Sequence, residues 1–141
     1  MSFEVPRDAS LAEIQAIFAK DRYAVATTGC EILEAIDGRA VCALTLDDCH
    51  LNMNDNPMGG VIFTLADFCL GIVSNYNQPP TVSSSCTIEY LNVATTPRLI
   101  ATGVVDKKGR TLGFYTVKVH DENAVLVAKM TATCARLNSG P

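Results

Sequence analysis

The stretch GGVIFTLADFCLGIVSNY, residues 59–76, decides the fold of this chain. It contains no proline, and its residues are apolar on nearly every side when they are placed on a helix. A helix of this kind is buried on most of its surface, so the stretch predicts one long helix at the centre of the protein. Gly59 and Gly60 open the helix, and Pro79 and Pro80 stop it from continuing.

One acid interrupts this apolar segment. Asp67 is the single charged residue between Asp55 and Glu89, about two turns into the predicted helix. Burying a lone carboxylate costs several kcal/mol unless it is paired, and no Lys, Arg or His lies near it in the sequence. Asp67 is therefore a candidate functional residue. The alternative is that it faces a water-filled cleft or caps an element of another subunit.

The segments on both sides of this helix have the patterns of a short helix and six strands. Ser10 to Glu13 matches a capping box, which predicts a first helix that ends near Lys20 or Asp21. Asp37-Gly38 predicts a hairpin in which both central residues have positive φ, and residues 47–57 read as a polar loop. The strand-like runs, rich in Val, Ile, Thr and Tyr, are residues 30–35, 39–46, 81–91, 99–107, 111–120 and 124–137.

This order of elements predicts an α+β domain. Consecutive strands joined by tight turns form an antiparallel sheet, and one apolar helix needs a sheet that curls around it. We therefore expect a curved antiparallel sheet wrapped around one long central helix, the arrangement of a hotdog fold. Residues 124–128 look apolar on both faces of their strand, which indicates an oligomer.

Composition restricts the partners of this chain. Its 141 residues fit one domain, and a net charge of −4 argues against nucleic acid, because binding phosphates needs a basic face. The sequence shows no signal peptide and no apolar run that could span a bilayer, which predicts a cytoplasmic protein without a membrane partner. Six scattered cysteines, without a Cys-x-x-Cys pair, predict reduced thiols and no metal site. No cofactor is expected.

The two glycines before the helix are a second functional feature. A helix N-terminus carries unsatisfied N–H groups and the positive end of the helix dipole, and glycine lets a ligand approach that backbone closely. Such donors would stabilise an oxyanion on a thioester carbonyl, and Asp67, two turns further along, would act on water or on the carbonyl carbon. Taken alone, a Gly-Gly pair is more typical of a flexible loop that ends at a close backbone contact.

Parts of the sequence resemble the PaaI-type hotdog thioesterases. Leu51-Asn52 and the run MGGVIFTLAD, residues 58–67, resemble the signature of that family. The run SCTIEYL, residues 85–91, is similar to the family's third strand, and KGRT, residues 108–111, to its strand-connecting turn. The resemblance covers most of the chain from about Tyr23 onward. It divides residues 1–141 into an N-terminal helical segment, 1–22, and a hotdog core, 23–137.

The resemblance implies hydrolysis of an aryl- or short-to-medium acyl-CoA at a subunit interface of a homodimer or homotetramer. Asp67 would be the nucleophile or general base. The Gly59 amide, together with Gly60, would polarise the thioester carbonyl. Asn52 would place water or substrate from the facing subunit, and Ser83 would assist the water.

Four further residues are candidate substrate contacts. Met58 stands where many members of the family have His, and Met cannot donate a hydrogen bond, so the enzyme would be slower or prefer another acyl group. Lys107, Lys108 and Arg110 form a basic cluster at a predicted hairpin, which is suited either to the phosphates of CoA or simply to solvent.

Two other functions compete with thioester hydrolysis. The first is a module that binds acyl-CoA without cleaving it, which Met58 favours. The second is a dehydratase, which needs an acid and a His together, and no His lies near Asp67. Cys49-His50 does not predict a nucleophile and its base, because neighbouring side chains on an extended segment point to opposite sides.

Overall fold

Helix α2, Gly59–Asn75, forms the centre of the fold, as the sequence predicts. The computed structural model describes residues 4–137, so residues 1–3 and 138–141 of the predicted domain lie outside it. One side of α2 packs against the sheet and contributes most of its apolar residues to the core. The fully buried members of α2 are Leu65, Ala66, Cys69 and Ile72, each at 0% exposure.

Six antiparallel strands form one sheet in the order β1-β2-β4-β5-β6-β3. Every predicted strand is present, and its ends lie within two residues of the prediction. The strand that follows α2 in the chain, β3, lies at one edge of the sheet and pairs with β6 alone within the described residues. The strands are β1 Glu31–Ile36, β2 Arg39–Thr45, β3 Thr81–Tyr90, β4 Arg98–Lys108, β5 Leu112–Asp121 and β6 Leu126–Arg136.

The N-terminal segment contains a helix and a further helical turn. Helix α1, Leu11–Phe18, begins at the predicted capping box: Ser10 Oγ accepts from the Glu13 N–H at 3.2 Å, and Glu13 accepts from the Ser10 N–H at 3.1 Å. It ends two residues before Lys20. The sequence predicted no element at Arg22–Thr28, where the chain forms a π-helical segment. The predicted division of the chain at residue 22 stays a prediction.

The hairpin between β1 and β2 turns at Asp37-Gly38, as predicted, but with a different backbone geometry. Ile36 pairs with Arg39, so the loop has two residues. Of these, Gly38 alone has a positive φ, +82°. The expectation that both residues need positive φ was therefore wrong, because a turn of type II requires it at the second central residue only.

One side of α2 is left open, which corrects the expectation of a helix buried nearly all round. Gly60, Thr64, Asp67 and Gly71 follow each other at intervals of three or four residues and so share one face. Gly60 and Asp67 are exposed, and Thr64 and Gly71 are half-buried. We call these four residues the open stripe. Asp67 is therefore only partly covered by its own chain, because the sheet covers the opposite side of the helix.

The cysteines are reduced and mostly internal, as predicted. Cys30, Cys42, Cys69 and Cys134 are buried, and all six are free. Burial raises the pKa of Cys30 to about 12 and that of Cys134 to about 11. Because the thiolate is the nucleophile, these two thiols are inert at neutral pH.

Candidate active site

Asp67 lies at the middle of the open stripe and lines a cavity of about 250 Å³ between α2 and the start of β3. Ser83 and Gly71 line the same cavity, which we call the acid cavity. Within residues 4–137 the Asp67 carboxylate accepts no hydrogen bond and forms no ion pair. The ion pairs found within these residues all join other side chains. Both of its oxygens are therefore available to a ligand or to water.

The electrostatic environment makes Asp67 more basic than an ordinary carboxylate. Partial burial raises its pKa, and the nearby carboxylate of Asp21 raises it further. None of the described residues that line the acid cavity is basic, so nothing there offsets the two effects. A raised pKa brings a carboxylate closer to the value that suits a general base at neutral pH.

Hydrogen bonds at the end of α2 hold the acid cavity in shape. The Asn75 side chain accepts from the Thr81 N–H at 2.8 Å and donates to the Thr81 carbonyl at 3.0 Å. This pair ties the last residue of the helix to the first residue of β3. Ser83 lies two residues further along the strand, on the same face as Thr81, and therefore faces the helix.

At its amino end α2 presents backbone donors that no side chain caps. Met58 is the residue before the helix, and its side chain makes no capping hydrogen bond. The N–H groups of Gly59 and Gly60 donate to no partner among residues 4–137. A side chain at position 60 would meet nothing within 4 Å, so the backbone there is open to a ligand.

A second cavity, of about 460 Å³, lies beside these donors. Asn52, Gly59 and Tyr90 line it, and we call it the donor cavity. The Asn52 side-chain oxygen, Oδ1, accepts from the backbone N–H groups of Asn54, at 2.9 Å, and Asn56, at 3.2 Å. Asn52 thus shapes its own loop, and its side-chain NH₂ group is what remains for a ligand.

The sequence analysis gave Tyr90 no role, although the residue lies at the end of the run that resembles the family's third strand. Its hydroxyl donates to the Gly59 carbonyl at 3.0 Å. Its ring also lies where a side chain at position 59 would begin, because an added Cβ would come within 3.2 Å of the ring carbon Cζ. The contact leaves little room for a side chain at residue 59, and Tyr90 lines the donor cavity.

The structure divides the predicted site residues between the two cavities. Asp67 and Ser83 line the acid cavity, whereas Asn52 and Gly59 line the donor cavity. No cavity found among residues 4–137 is lined by both Asp67 and Gly59. Met58 and Gly60 lie at the donor end of the helix.

The residues of the predicted basic cluster line neither cavity of their own chain. Lys108 forms an ion pair with Asp37 at 2.7 Å, across the tips of two hairpins. Lys107 and Arg110 are exposed. Strand β4 ends at residue 108. Its first residue pairs with the last residue of β2, where the chain enters the loop before Gly59. The cluster is therefore at the opposite end of the sheet from the donor cavity.

His50 has a structural role, which agrees with the rejection of a Cys49-His50 pair. Its Nδ1 accepts from the Asp47 N–H at 2.9 Å, and its Nε2 lies 2.8 Å from the Thr28 carbonyl oxygen. A carbonyl can only accept, so these partners assign the ring proton to Nε2. Both ring nitrogens are then occupied in holding the loop before α2.

A curved antiparallel sheet around one helix, with an unpaired acid on that helix, defines the class of hotdog-fold enzymes. The family model of the thioesterase superfamily matches residues 57–128, and the chain belongs to that family. The acyl-coenzyme A thioesterase PaaI of Escherichia coli is 30% identical over 101 residues, which cover 71% of this chain and 72% of the relative.

Solved structures agree with this assignment. The structure of the E. coli PaaI protein matches with a TM-score of 0.78 and 26% identity, over 92% of this chain and 97% of that one. That of smu.793 from Streptococcus mutans, bound to acetyl CoA, matches with a TM-score of 0.73 and 27% identity, over 77% and 89% of the chains. The chain is a PaaI-type hotdog thioesterase, an acyl-CoA thioester hydrolase.

No helix within the described residues has both the length and the apolar character that crossing a membrane requires.

Proposed function

We propose that the enzyme hydrolyses aryl- or short-to-medium acyl-CoA thioesters at a site shared by two copies of the chain. Asp67 of one copy is the nucleophile or general base, and the Gly59 amide of the other copy polarises the thioester carbonyl. The observation that carries this proposal is the division of the acid and the donors between two cavities. A cytoplasmic location, as expected from the sequence, is part of the proposal.

Asp67 and the Gly59 amide lie too far apart along α2 for one chain to supply both groups to the same thioester carbonyl. Asp67 follows Gly59 by eight residues, which corresponds to about 12 Å along the helix axis. An attacking oxygen must come within about 3–3.5 Å of the carbonyl carbon, and an oxyanion donor within about 3 Å of its oxygen. An acid and a donor that act on the same carbonyl are therefore less than about 8 Å apart, which one helix does not provide here.

The position of the edge strand β3 supports a site shared by two copies. Its first residues, Thr81 to Ser83, line the acid cavity, and its last residue, Tyr90, lines the donor cavity. An edge strand offers unpaired backbone groups to another strand, and two copies related by a twofold axis pair antiparallel. Antiparallel pairing of β3 with its copy sets the acid cavity of one chain beside the donor cavity of the other.

The open stripe supports the same arrangement. Gly60, Thr64 and Gly71 have small side chains or none, so a partner can approach α2 closely. The apolar residues of β3 and of the segment after it are exposed: Val82 at 45%, Tyr90 at 52%, Leu91 at 47% and Val93 at 61%. Large exposed apolar side chains that follow one edge are typical of an interface.

The chemistry of the shared site is the attack of an oxygen on the thioester carbonyl carbon. As general base, Asp67 takes a proton from water; as nucleophile, it forms an anhydride that water then cleaves. In both routes the carbon–sulfur bond breaks, and CoA leaves as the thiol. Ser83 orients the water, and the Asn52 side-chain NH₂ group of the facing chain donates to water or substrate.

The basic residues have a place in this dimer. Antiparallel pairing of β3 with its copy brings one end of the sheet to the same side as the partner's donor cavity. The basic residues at that end are Lys107, Lys108 and Arg110. We assign them to the phosphates of CoA. Lys108 is the weakest of the three in this role, because it is already paired with Asp37.

A thiol-release assay on a panel of aryl-, short- and medium-chain acyl-CoAs tests the function. We expect the wild-type enzyme to turn over members of the panel, and Asp67→Asn to lose about a thousandfold or more of kcat, as for other central catalytic groups. Asp48→Asn, which removes an equal charge from an exposed turn outside both cavities, is the matched control and should keep wild-type activity.

Full activity of a folded Asp67→Asn protein would remove Asp67 from the mechanism. Thermal stabilisation by acyl-CoA without any thiol released would instead favour a binding module. One turnover in ¹⁸O-labelled water tests the nucleophilic route: ¹⁸O in Asp67 and ¹⁶O in the first product identify an anhydride that water cleaves at the Asp67 carbonyl, whereas attack of water on the acyl carbon places ¹⁸O in the product.

A further inference from the structure

Tyr90 forms a hydrogen bond to the peptide group that joins the two proposed oxyanion donors, Gly59 and Gly60. Its hydroxyl donates to the Gly59 carbonyl at 3.0 Å, and the two residues are 31 positions apart in the chain. The carbonyl of residue 59 and the N–H of residue 60 belong to the same peptide group. The Tyr90 hydroxyl is therefore bonded to one end of the peptide whose other end is a free donor.

This geometry has an electronic consequence. Hydrogen bonds that share a peptide group polarise one another, so a donor on the carbonyl makes the N–H at the other end a stronger donor. The Gly60 N–H is the group affected, and it is exposed with open space beside it. A stronger N–H stabilises an oxyanion more than it stabilises the neutral carbonyl of the substrate, so the effect is larger in the transition state.

The ring of Tyr90 acts together with its hydroxyl. A Cβ at position 59 would lie 3.2 Å from ring carbon Cζ and 3.3 Å from the hydroxyl oxygen, so the ring packs directly on the Gly59 backbone. Because Met58 provides no side-chain cap, the first turn of α2 lacks the usual means of fixing its orientation. The contact with Tyr90 supplies a substitute from another element, β3.

We propose that Tyr90 is a positioning residue for thioester hydrolysis, which orients and polarises the Gly59–Gly60 peptide so that the Gly60 N–H joins the Gly59 N–H in the oxyanion hole. The proposal rests on the proposed function and adds a residue to it. Tyr90 acts through the backbone and does not itself touch the thioester carbonyl.

The test is Tyr90→Phe, which keeps the ring on Gly59 and removes only the hydroxyl. We expect kcat to fall roughly fivefold, the worth of one neutral hydrogen bond, with KM little changed. Tyr76→Phe is the matched control: the Tyr76 hydroxyl also donates to a backbone carbonyl, that of Ala9, at 2.9 Å, but at the far end of α2. This variant should lose thermal stability and keep kcat.

A vibrational measurement separates polarisation from loss of structure. In the Asp67→Asn background an acyl-CoA labelled with ¹³C at the thioester carbonyl stays intact, and its C=O stretch reports the donors around it. We expect the stretch to be lowered when the substrate binds to Asp67→Asn, and to move back towards the solution value when Tyr90→Phe is added.

Each outcome of these measurements either supports or overturns the role of Tyr90. An unchanged kcat in Tyr90→Phe overturns the inference, and so does a lower kcat with an unchanged carbonyl stretch, which would show a structural role only. If the wild-type enzyme hydrolyses acyl-CoA while Tyr90→Phe is unaffected, the inference fails and the proposed function stands. If the wild-type protein neither binds nor cleaves any thioester of the panel, both fail together.

Discussion

The amino end and the middle of α2 present opposite chemistry on one helix. At the amino end, Gly59 and Gly60 offer N–H donors without a capping side chain, and the cavity beside them has about 460 Å³. In the middle, Asp67 offers an acceptor without a donor or a cation, and its cavity has about 250 Å³. Each region has what the other lacks. The comparison therefore supports the proposal that the active site combines halves from two copies of the chain.

At the amino end of α2, the largest effect is expected from removing one N–H donor. Gly59 is the first residue of the helix, where proline fits and lacks the N–H, and Met58 already has the extended backbone that precedes a proline, with ψ at 141°. Gly59→Pro should lower kcat by about 100- to 1000-fold, the cost of losing one oxyanion-hole donor. Steady-state kinetics on the best substrate of the panel measures it.

Gly59→Ala is the control for that substitution. Both variants bring a Cβ against the Tyr90 ring, but the alanine variant keeps its N–H. It should retain most of the activity. Equal losses in the two variants would show that crowding by the ring, and not the missing donor, is responsible, and the amino end would lose its assigned function.

Mixing two inactive variants tests whether the halves come from different chains. Random pairing of Asp67→Asn with Gly59→Pro makes half of the dimers mixed, and each of these has one intact site out of two. Activity should therefore return to about a quarter of the wild-type value after the two proteins are unfolded and refolded together. No recovery, with mixed dimers demonstrated by native mass spectrometry, would place both groups in one chain.

A smaller and more selective effect is expected beside Asp67. Gly71 lines the acid cavity, and a Cβ added there meets nothing within 4 Å. Gly71→Ala should lower kcat/KM for the bulkiest acyl groups by severalfold and leave acetyl-CoA unaffected. Alanine should also stabilise the helix by about 0.5–1 kcal/mol relative to glycine, which thermal unfolding measures. A uniform loss for all acyl groups would mean that this cavity does not hold the acyl chain.

The smallest effect concerns pH. The carboxylate of Asp21 helps to raise the pKa of Asp67, after burial as the main cause. Asp21→Asn removes that charge and keeps an oxygen that can accept from the Ala24 N–H, so the turn stays capped. Because the base must be ionised, the acid limb of the kcat/KM profile should move to lower pH. If the acid limb of the profile stays at the same pH, the ionisation of Asp67 does not determine that limb.

Local patterns were sufficient to predict most of the fold. The capping box at Ser10 and Glu13 and the long run of α2 are encoded by neighbours in the sequence, so they were found. The π-helical segment Arg22–Thr28 was missed because it has no propensity pattern of its own and depends on how the N-terminal segment packs against α2. The candidate acid was also visible in the sequence itself, since Asp67 is one charge in an apolar helix.

Contacts between distant residues account for what the sequence did not predict. Tyr90 and Gly59 are hydrogen-bonded although they are 31 positions apart in the sequence, and Lys108 and Asp37 are paired although they are 71 positions apart. No local sequence pattern predicts either pair. The exposure of Asp67 depends on which side of α2 the sheet covers, and that is set by the strand order and not by the helix.

The sequence by itself determined the elements, their order and the chemical nature of the central acid, because these depend on side-chain type and on spacing along the chain. The tertiary structure alone decided that the acid and the donors occupy different cavities and that both lie beside one free strand edge. The physical reason is that a helix holds its residues at fixed axial separations. Only packing against a sheet decides which of those residues remain open to a partner.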